Sequence, residues 1–284
     1  MNIESAVLDR YTAGAQAREE SLCCPVDYDN NLLAILPQEI IDRDYGCGDP
    51  SRYVQEGDTV LDLGSGGGKI CYMAAQLVGP RGRVIGIDMN DDMLALARKY
   101  QSAMAARLGN DRVEFIKGRI QDLALDVDAH DCWLRDNPLP DEADRERQAS
   151  REAEQKTNRP LIADNSVDLV ISNCVLNLVA ENEKRQLINE VYRVLKPGGR
   201  IAISDIISDR PVPAGMKNDP ELWSGCLSGA FHEAEMPALF AAAGFSAVTY
   251  DKWDVVPWRV INGITFRSVT LTAIRPDIAG ATNA

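Results

Sequence analysis

Three of the seven cysteines in this chain stand where a soft ligand would be useful. Cys47 lies in the turn-rich segment 44–50, Cys174 directly follows an apolar run ending at Asn173, and Cys226 sits in a long connection between apolar runs. Thiolates are soft donors, so three of them converging on one place select a soft, thiophilic partner. Taken singly, such a cysteine is most often a small buried hydrophobe. A second group of residues offers a different chemistry. The run Val60-Leu61-Asp62-Leu63 ends in Gly64-Ser65-Gly66-Gly67-Gly68, and the next apolar run ends at Asp88, twenty residues past Gly68. A glycine-dense turn lets backbone approach a ligand. At that distance the second strand of a βαβ unit presents a carboxylate to a ribose diol. The dinucleotide form of the turn would need glycine at position 69, where Lys69 stands, and Asp62 in the turn region would repel a pyrophosphate. A carboxylate there suits a ligand carrying an ammonium group.

These residues need a frame of alternating strands and helices. A first strand ending at the glycine turn, then Arg83–Asp88, Val113–Ile116, Val167–Asn173 and Arg200–Ser204 read as buried strands, and 247–256 and 264–274 complete the set. Helices are expected over 69–78, from Asn90 or Asp91 through Met104, over Glu183–Leu195 and over Glu233–Ala243, with Lys196-Pro197-Gly198-Gly199 stopping the third. The alternation predicts one α/β domain built on a doubly wound, seven-stranded, mostly parallel sheet. Residues 1–56 read as an N-terminal arm whose segment 44–50 can fold over the cleft as a cysteine-bearing lid, and 57–284 as the domain itself. Within it, about 121–160 is a charged surface insertion, and about 205–231 is a connection expected to bind substrate. Strand carboxyl ends line the crevice of an open α/β sheet, so Cys174 is expected beside the ligand of the glycine turn.

A net charge of −13 argues against nucleic acid as a partner, since phosphate binding needs a cationic footprint. No apolar run approaches the ~20 residues that span a bilayer. Met1-Asn2-Ile3-Glu4 lacks the basic and apolar regions of a signal peptide, so a cytoplasmic location is expected. An odd number of cysteines in a reducing compartment reads as thiols, ligands or redox partners rather than a disulfide scaffold. His130 and His232 are the only histidines, one in the charged insertion and one beginning an expected helix, so neither is expected to serve as a base.

The turn D-x-G-x-G-x-G, followed by an acidic end to the second strand, resembles the S-adenosylmethionine (SAM) site of class I methyltransferases. The resemblance narrows with Tyr45-Gly46-Cys47-Gly48, Cys71-Tyr72, Gln76-Leu77-Val78-Gly79, Gly86-Ile87-Asp88-Met89, Ser172-Asn173-Cys174-Val175 and Cys226-x-x-Gly229-Ala230, spread over roughly residues 23 to 245. Together these are similar to arsenite methyltransferases. The resemblance implies that Cys47, Cys174 and Cys226 bind trivalent arsenic. It implies that Asp62, Gly64, Ser65, Gly66 and Gly68 surround the methionine part of SAM, with Asp88 on the ribose. Met89 and Ile120 would enclose the adenine, Asn173 would lie near the methionyl group, and Tyr45 and Tyr72 would flank the donor. It further implies that Cys23 or Cys24 pairs with the lid cysteine as electrons leave, to be reduced again by a thioredoxin-like protein or a small thiol such as glutathione. Arsenic held by three sulfurs keeps a lone pair, so methyl transfer to it needs positioning more than proton removal. The expected activity is methylation of thiol-bound arsenite to methylarsenicals, for detoxification or organoarsenical synthesis. Cys71 reads as packing, and Cys132 matches no motif. Three alternatives stay open: a small-molecule O-, N- or C-methyltransferase with incidental thiols, a non-catalytic thiol-based arsenic or metal sensor, and a structural zinc site, for which the sequence shows no fourth ligand.

Overall fold

Runs of apolar residues buried on both faces dictate a central sheet covered on both sides. The computed structural model describes residues 3–22 and 25–277. Its strands are β1 (Thr59–Leu63), β2 (Arg83–Asp88), β3 (Val113–Lys117), β4 (Val167–Asn173), β5 (Leu195–Ser208), β6 (Phe231–His232), β7 (Ser246–Trp253), β8 (Arg259–Ile261) and β9 (Ile264–Ile274). They run in the order β3-β2-β1-β4-β5-β9-β7, with β6 added beside β5 and β8 beside β9. The first five strands pair in parallel, and β9 runs antiparallel to both β5 and β7. Seven strands form the expected path; the two short extra ones bring the sheet to nine.

The period of two along each strand divides the core. Val60 and Val84 pack on one face with the helix Lys69–Leu77, whereas Leu61, Leu63, Ile85 and Ile87 pack on the other with the helix Lys184–Val194. Several boundaries differ from expectation. The helix expected through Met104 breaks at Tyr100 into Asp91–Lys99 and Gln101–Leu108. His232 belongs to β6 rather than to a helix. Strand β5 starts at Leu195, because Val167 pairs with Leu195 and Leu169 with Arg200. The intervening Lys196-Pro197-Gly198-Gly199 is thus an irregularity within the strand.

The insertion forms two helices, Val127–Asp136 and Glu142–Asn158, capped by Asp126 and Asp141 and without a buried residue. At the other end of the chain, the helix Ile3–Gln16 lies over the carboxyl ends of the strands. Arg10 donates to the Glu221 carbonyl and the Ser224 hydroxyl, both at 3.0 Å, and Asn90 Nδ2 donates to the Leu8 carbonyl (3.3 Å) and Thr12 Oγ1 (3.0 Å). Leu36 and Ile40 bury into the same cluster as Val60. Among the described residues no helix is long and apolar enough to cross a membrane. Cys23 and Cys24 lie outside the described residues.

Candidate active site

The glycine turn after β1 is drawn back toward β2, with the amides of Gly64 and Ser65 donating to the Ile87 carbonyl at 2.8 and 2.9 Å. Gly64 has φ of 70°, a left-handed conformation that a side chain would strain, and a Cβ there would meet Val175. Asp88 fixes the other side of the turn: its carboxylate accepts from Gly66 N and from Asn90 N, both at 2.8 Å. Tyr45, Asp62, Gly64, Ser65, Gly66, Asp88, Met89, Ile120 and Asn173 all line one cavity of about 310 Å³. Gly68 and Tyr72 do not. Gly68 caps the following helix and packs toward Phe115. Tyr72 is buried in the core, edge-on to Phe115, with its hydroxyl donating to the Ala97 carbonyl at 2.7 Å. The sequence places Tyr72 one position past Cys71, but the helix turns it away from the cleft.

Asp62 is buried, and no lysine or arginine among the described residues pairs with it. Burial pushes its carboxyl up to about 7; Asp44 and Asp88 add repulsion, and a hydrogen bond from Cys71 opposes the rise. That bond, from Cys71 Sγ at 3.2 Å, gives Cys71 a role beyond packing. A buried carboxylate without a cation, a glycine turn and a second carboxylate at the end of β2 fit a ligand that carries an ammonium group and a ribose. Asp44 lines the same cavity but is neutralised by Lys69, whose Nζ lies 3.5 Å away and 4.4 Å from the Tyr28 ring centroid.

The structure brings the Cys47 and Cys174 sulfurs within 4.8 Å of each other and sets Cys226 beside Cys174, although the three sulfurs are not all within 4.8 Å of one another. Cys174 feels both other thiols electrostatically, and Cys226 Sγ donates to the Cys174 carbonyl at 3.1 Å. Both Cys174 (φ 64°) and Cys226 (φ 61°) adopt left-handed backbone, which costs a side-chain-bearing residue roughly 1–2 kcal/mol. Strain of this kind concentrates at functional sites, and here both strained residues meet, Cys226 Sγ reaching the Cys174 carbonyl. Cys47 arrives differently. Asn173 Oδ1 accepts from Cys47 N (2.9 Å) and Gly48 N (3.0 Å), and its Nδ2 donates to the Gly48 carbonyl (2.8 Å) and contacts the Tyr28 hydroxyl (3.3 Å). Ser268 Oγ donates to the Cys47 carbonyl at 2.5 Å. Only glycines permit this seat: a Cβ on Gly46 would collide with the Asn173 amide, and one on Gly48 would lie 2.5 Å from Ser204 Oγ. The lid segment is therefore anchored to β4 rather than free, and the Asn173 side chain, although it borders the cofactor cavity, spends its hydrogen bonds on that anchor.

Burial pushes the Cys47 thiol up, and the neighbouring Cys226 and Cys47 thiols hold Cys174 well above the usual thiol range. Neutral thiols suit exchange with an uncharged trivalent oxyacid, since each thiol proton leaves with a displaced hydroxide as water. Two residues without a sequence signal complete the surroundings. Tyr11, on the N-terminal helix, sets its hydroxyl 3.9 Å from Cys226 Sγ and its ring edge-on to Tyr45 at 6.2 Å. Trp258 lines a small cavity with Cys174 and Cys226. Tyr45 is held by its hydroxyl, which accepts from Glu19 N at 2.8 Å and donates to the Gly14 carbonyl at 3.1 Å.

Comparison with known proteins places the fold in a family. A family model described as "Methyltransferase domain" matches residues 54–159 and 149–244, and the chain belongs to that family. Its sequence relatives within the family include the arsenite methyltransferase of Halobacterium salinarum, 38% identical over 209 residues, which is 73% of this chain and 42% of the relative. The arsenite methyltransferase of Homo sapiens is 34% identical over 260 residues, or 88% of this chain and 59% of the relative. The chain thus spans about half the length of the curated relatives it matches. Among solved structures, an arsenic(III) SAM methyltransferase from Chlamydomonas reinhardtii superimposes with a TM-score of 0.68 at 29% identity, covering 90% of this chain and 76% of that one.

Proposed function

We propose that this protein is an arsenite methyltransferase that moves a methyl group from SAM to trivalent arsenic held by Cys47, Cys174 and Cys226, giving methylarsenicals. One observation carries the reading: Cys174 lines the cofactor cavity and is also the central member of the thiol cluster. SAM would supply an electrophilic methyl on a sulfonium. Asp62 would hold its ammonium group, the backbone of Gly64–Gly66 the methionine part, and Asp88 the ribose, with Met89 and Ile120 about the adenine and Tyr45 along the donor. The three sulfurs would replace the arsenic-bound hydroxides, releasing water, and leave the arsenic lone pair as the nucleophile, so no general base is needed. Residues 1–56 would act as the cover of the methyltransferase unit 57–284, with the connection 205–231 carrying the third sulfur. Cys23 or Cys24 would exchange electrons with the site, restored by glutathione or a thioredoxin-like protein in the cytoplasm.

The test is the full chain incubated with arsenite, SAM and a thiol, with the arsenic species separated afterwards. The wild type is expected to yield methylated arsenic, and Cys174→Ser to yield none while its SAM affinity is kept. Methylation that survives Cys174→Ser removes the assignment.

A further inference from the structure

Three thiols without a fourth donor make a poor site for a tetrahedral cation, but the fold supplies the donor that the sequence does not reveal. Asp205, buried in β5, places a carboxylate oxygen so that it and the Sγ atoms of Cys47 and Cys174 all lie within 4.8 Å of one another. Cys226 touches the same group through Cys174. We propose that Cys47, Cys174, Cys226 and Asp205 form a second kind of site in the same pocket, a cradle for a thiophilic divalent cation of the zinc or cadmium class that competes with trivalent arsenic. The inference shares the grouping of the three cysteines with the function proposed above but does not depend on methyl transfer.

The donor set matches the chemistry of these ions. A d¹⁰ cation has no geometric demand of its own and takes sulfur at about 2.3 Å and carboxylate oxygen at about 2.0–2.2 Å in a tetrahedron. Two sulfurs in such a site stand about 3.8 Å apart, so the donor atoms of Cys47, Cys174 and Asp205, already within 4.8 Å of one another, need to close by about 1 Å or less, while Cys226 Sγ, which now donates to the Cys174 carbonyl, turns in as the fourth donor. The carboxylate is oriented in advance. Asp205 Oδ1 accepts from Asn177 Nδ2 and Ile206 N, both at 2.8 Å, and Oδ2 from Asn177 N at 3.3 Å. Ligating carboxylates are held in this way by outer hydrogen bonds. Lys184, whose charge reaches Asp205, is already engaged by Glu181 at 2.7 Å and the Gly229 carbonyl at 2.6 Å, which leaves the carboxylate available.

Arsenic and a divalent cation would use the cradle differently. Trivalent arsenic bound to three thiolates is neutral, and its lone pair occupies the fourth direction, so Asp205 contributes nothing to it. A divalent cation on three thiolates keeps an open position, which Asp205 fills; the three thiol protons leave to solvent. Asp205 therefore separates the two ligands, although all three cysteines serve both.

The experiment uses the full chain titrated with cadmium chloride, read by thiolate-to-cadmium charge-transfer absorption, and arsenite binding measured with and without zinc chloride. The expected result is one cadmium per chain. Zinc should raise the apparent Kd for arsenite in proportion to its concentration and leave the Kd for SAM unchanged. Asp205→Asn should weaken cadmium at least tenfold and change arsenite affinity less than twofold. A wild type that shows no stoichiometric cadmium band, or a variant that loses both ligands equally or neither, overturns the proposal. Should Asp205→Asn fail to fold, the wild-type competition decides, and arsenite binding indifferent to zinc counts against the site. A wild type that binds cadmium but not arsenite would leave this site standing and remove the proposed function instead.

Discussion

Replacing Asn173 by alanine removes the acceptor of two amides that seat Cys47, those of Cys47 and Gly48 at 2.9 and 3.0 Å. Both bonds are buried, so each amide left unpaired costs about 1–3 kcal/mol, or about 2–6 kcal/mol for the seated loop. The loop escapes that cost by withdrawing to solvent, and Cys47 leaves the cluster with it. At about 1.4 kcal/mol per tenfold, the lower bound predicts a loss of arsenite affinity of about 30-fold. The cofactor cavity is built chiefly from the glycine turn and Asp88, so SAM affinity should stay within about twofold. Asn173→Asp keeps the acceptor for both amides and loses the Nδ2 contacts to the Gly48 carbonyl and Tyr28, so its loss should be intermediate. Arsenite binding can be followed by tryptophan fluorescence, since Trp258 lines the thiol pocket, and SAM binding by calorimetry. An alanine variant that binds arsenite normally but SAM tenfold more weakly would show that Asn173 is a donor contact, and the anchoring argument would be wrong.

Two further outcomes follow from the same geometry. Tyr72→Phe removes the bond to the Ala97 carbonyl and should cost about 1 kcal/mol of stability in denaturant titration, with the KM for SAM unaltered; a raised KM would return Tyr72 to the cofactor site. Burial raises Asp62 to about 7 in the folded protein, against about 3.9 in an unfolded chain. The folded state therefore keeps a proton that the unfolded state has lost between about pH 4 and 7, and stability falls as pH rises through that window. The Tm without ligand should be higher at pH 5 than at pH 8, and Asp62→Asn should reduce the difference; an unchanged difference in the variant would show that Asp62 is not the group responsible.

The sheet was legible because its strands are buried on both faces, and continuous apolar runs ending at Asp88 and Asn173 admit few other readings. Cys47, Cys174 and Cys226 could be singled out because Cys47 sits in a turn-rich segment, Cys174 follows a strand end, Cys226 lies in a long connection, and each carries a motif. What holds them was not legible. The left-handed backbone at Cys174 and Cys226 has no local sequence signature, since both positions carry an ordinary side chain. Asn173 reads as a cofactor contact from its place at a strand end, and only the third dimension shows its amide turned toward the lid. Asp205, Tyr11 and Trp258 lie far from the motifs in sequence and reach the thiols through tertiary packing. Tyr72 failed for a simpler reason: a helix places neighbouring positions on different faces, so its place in a motif did not determine where its ring points. The Lys196–Gly199 stretch carries every mark of a turn, yet pairing on both sides absorbs it into β5.

The most direct test of the central claim is X-ray absorption at the arsenic edge, recorded on the full chain with one equivalent of arsenite. The proposed function predicts an arsenic atom with three sulfur neighbours in the wild type and two in Cys226→Ser. Oxygen neighbours in place of sulfur, or a first shell unchanged by that substitution, would contradict the account.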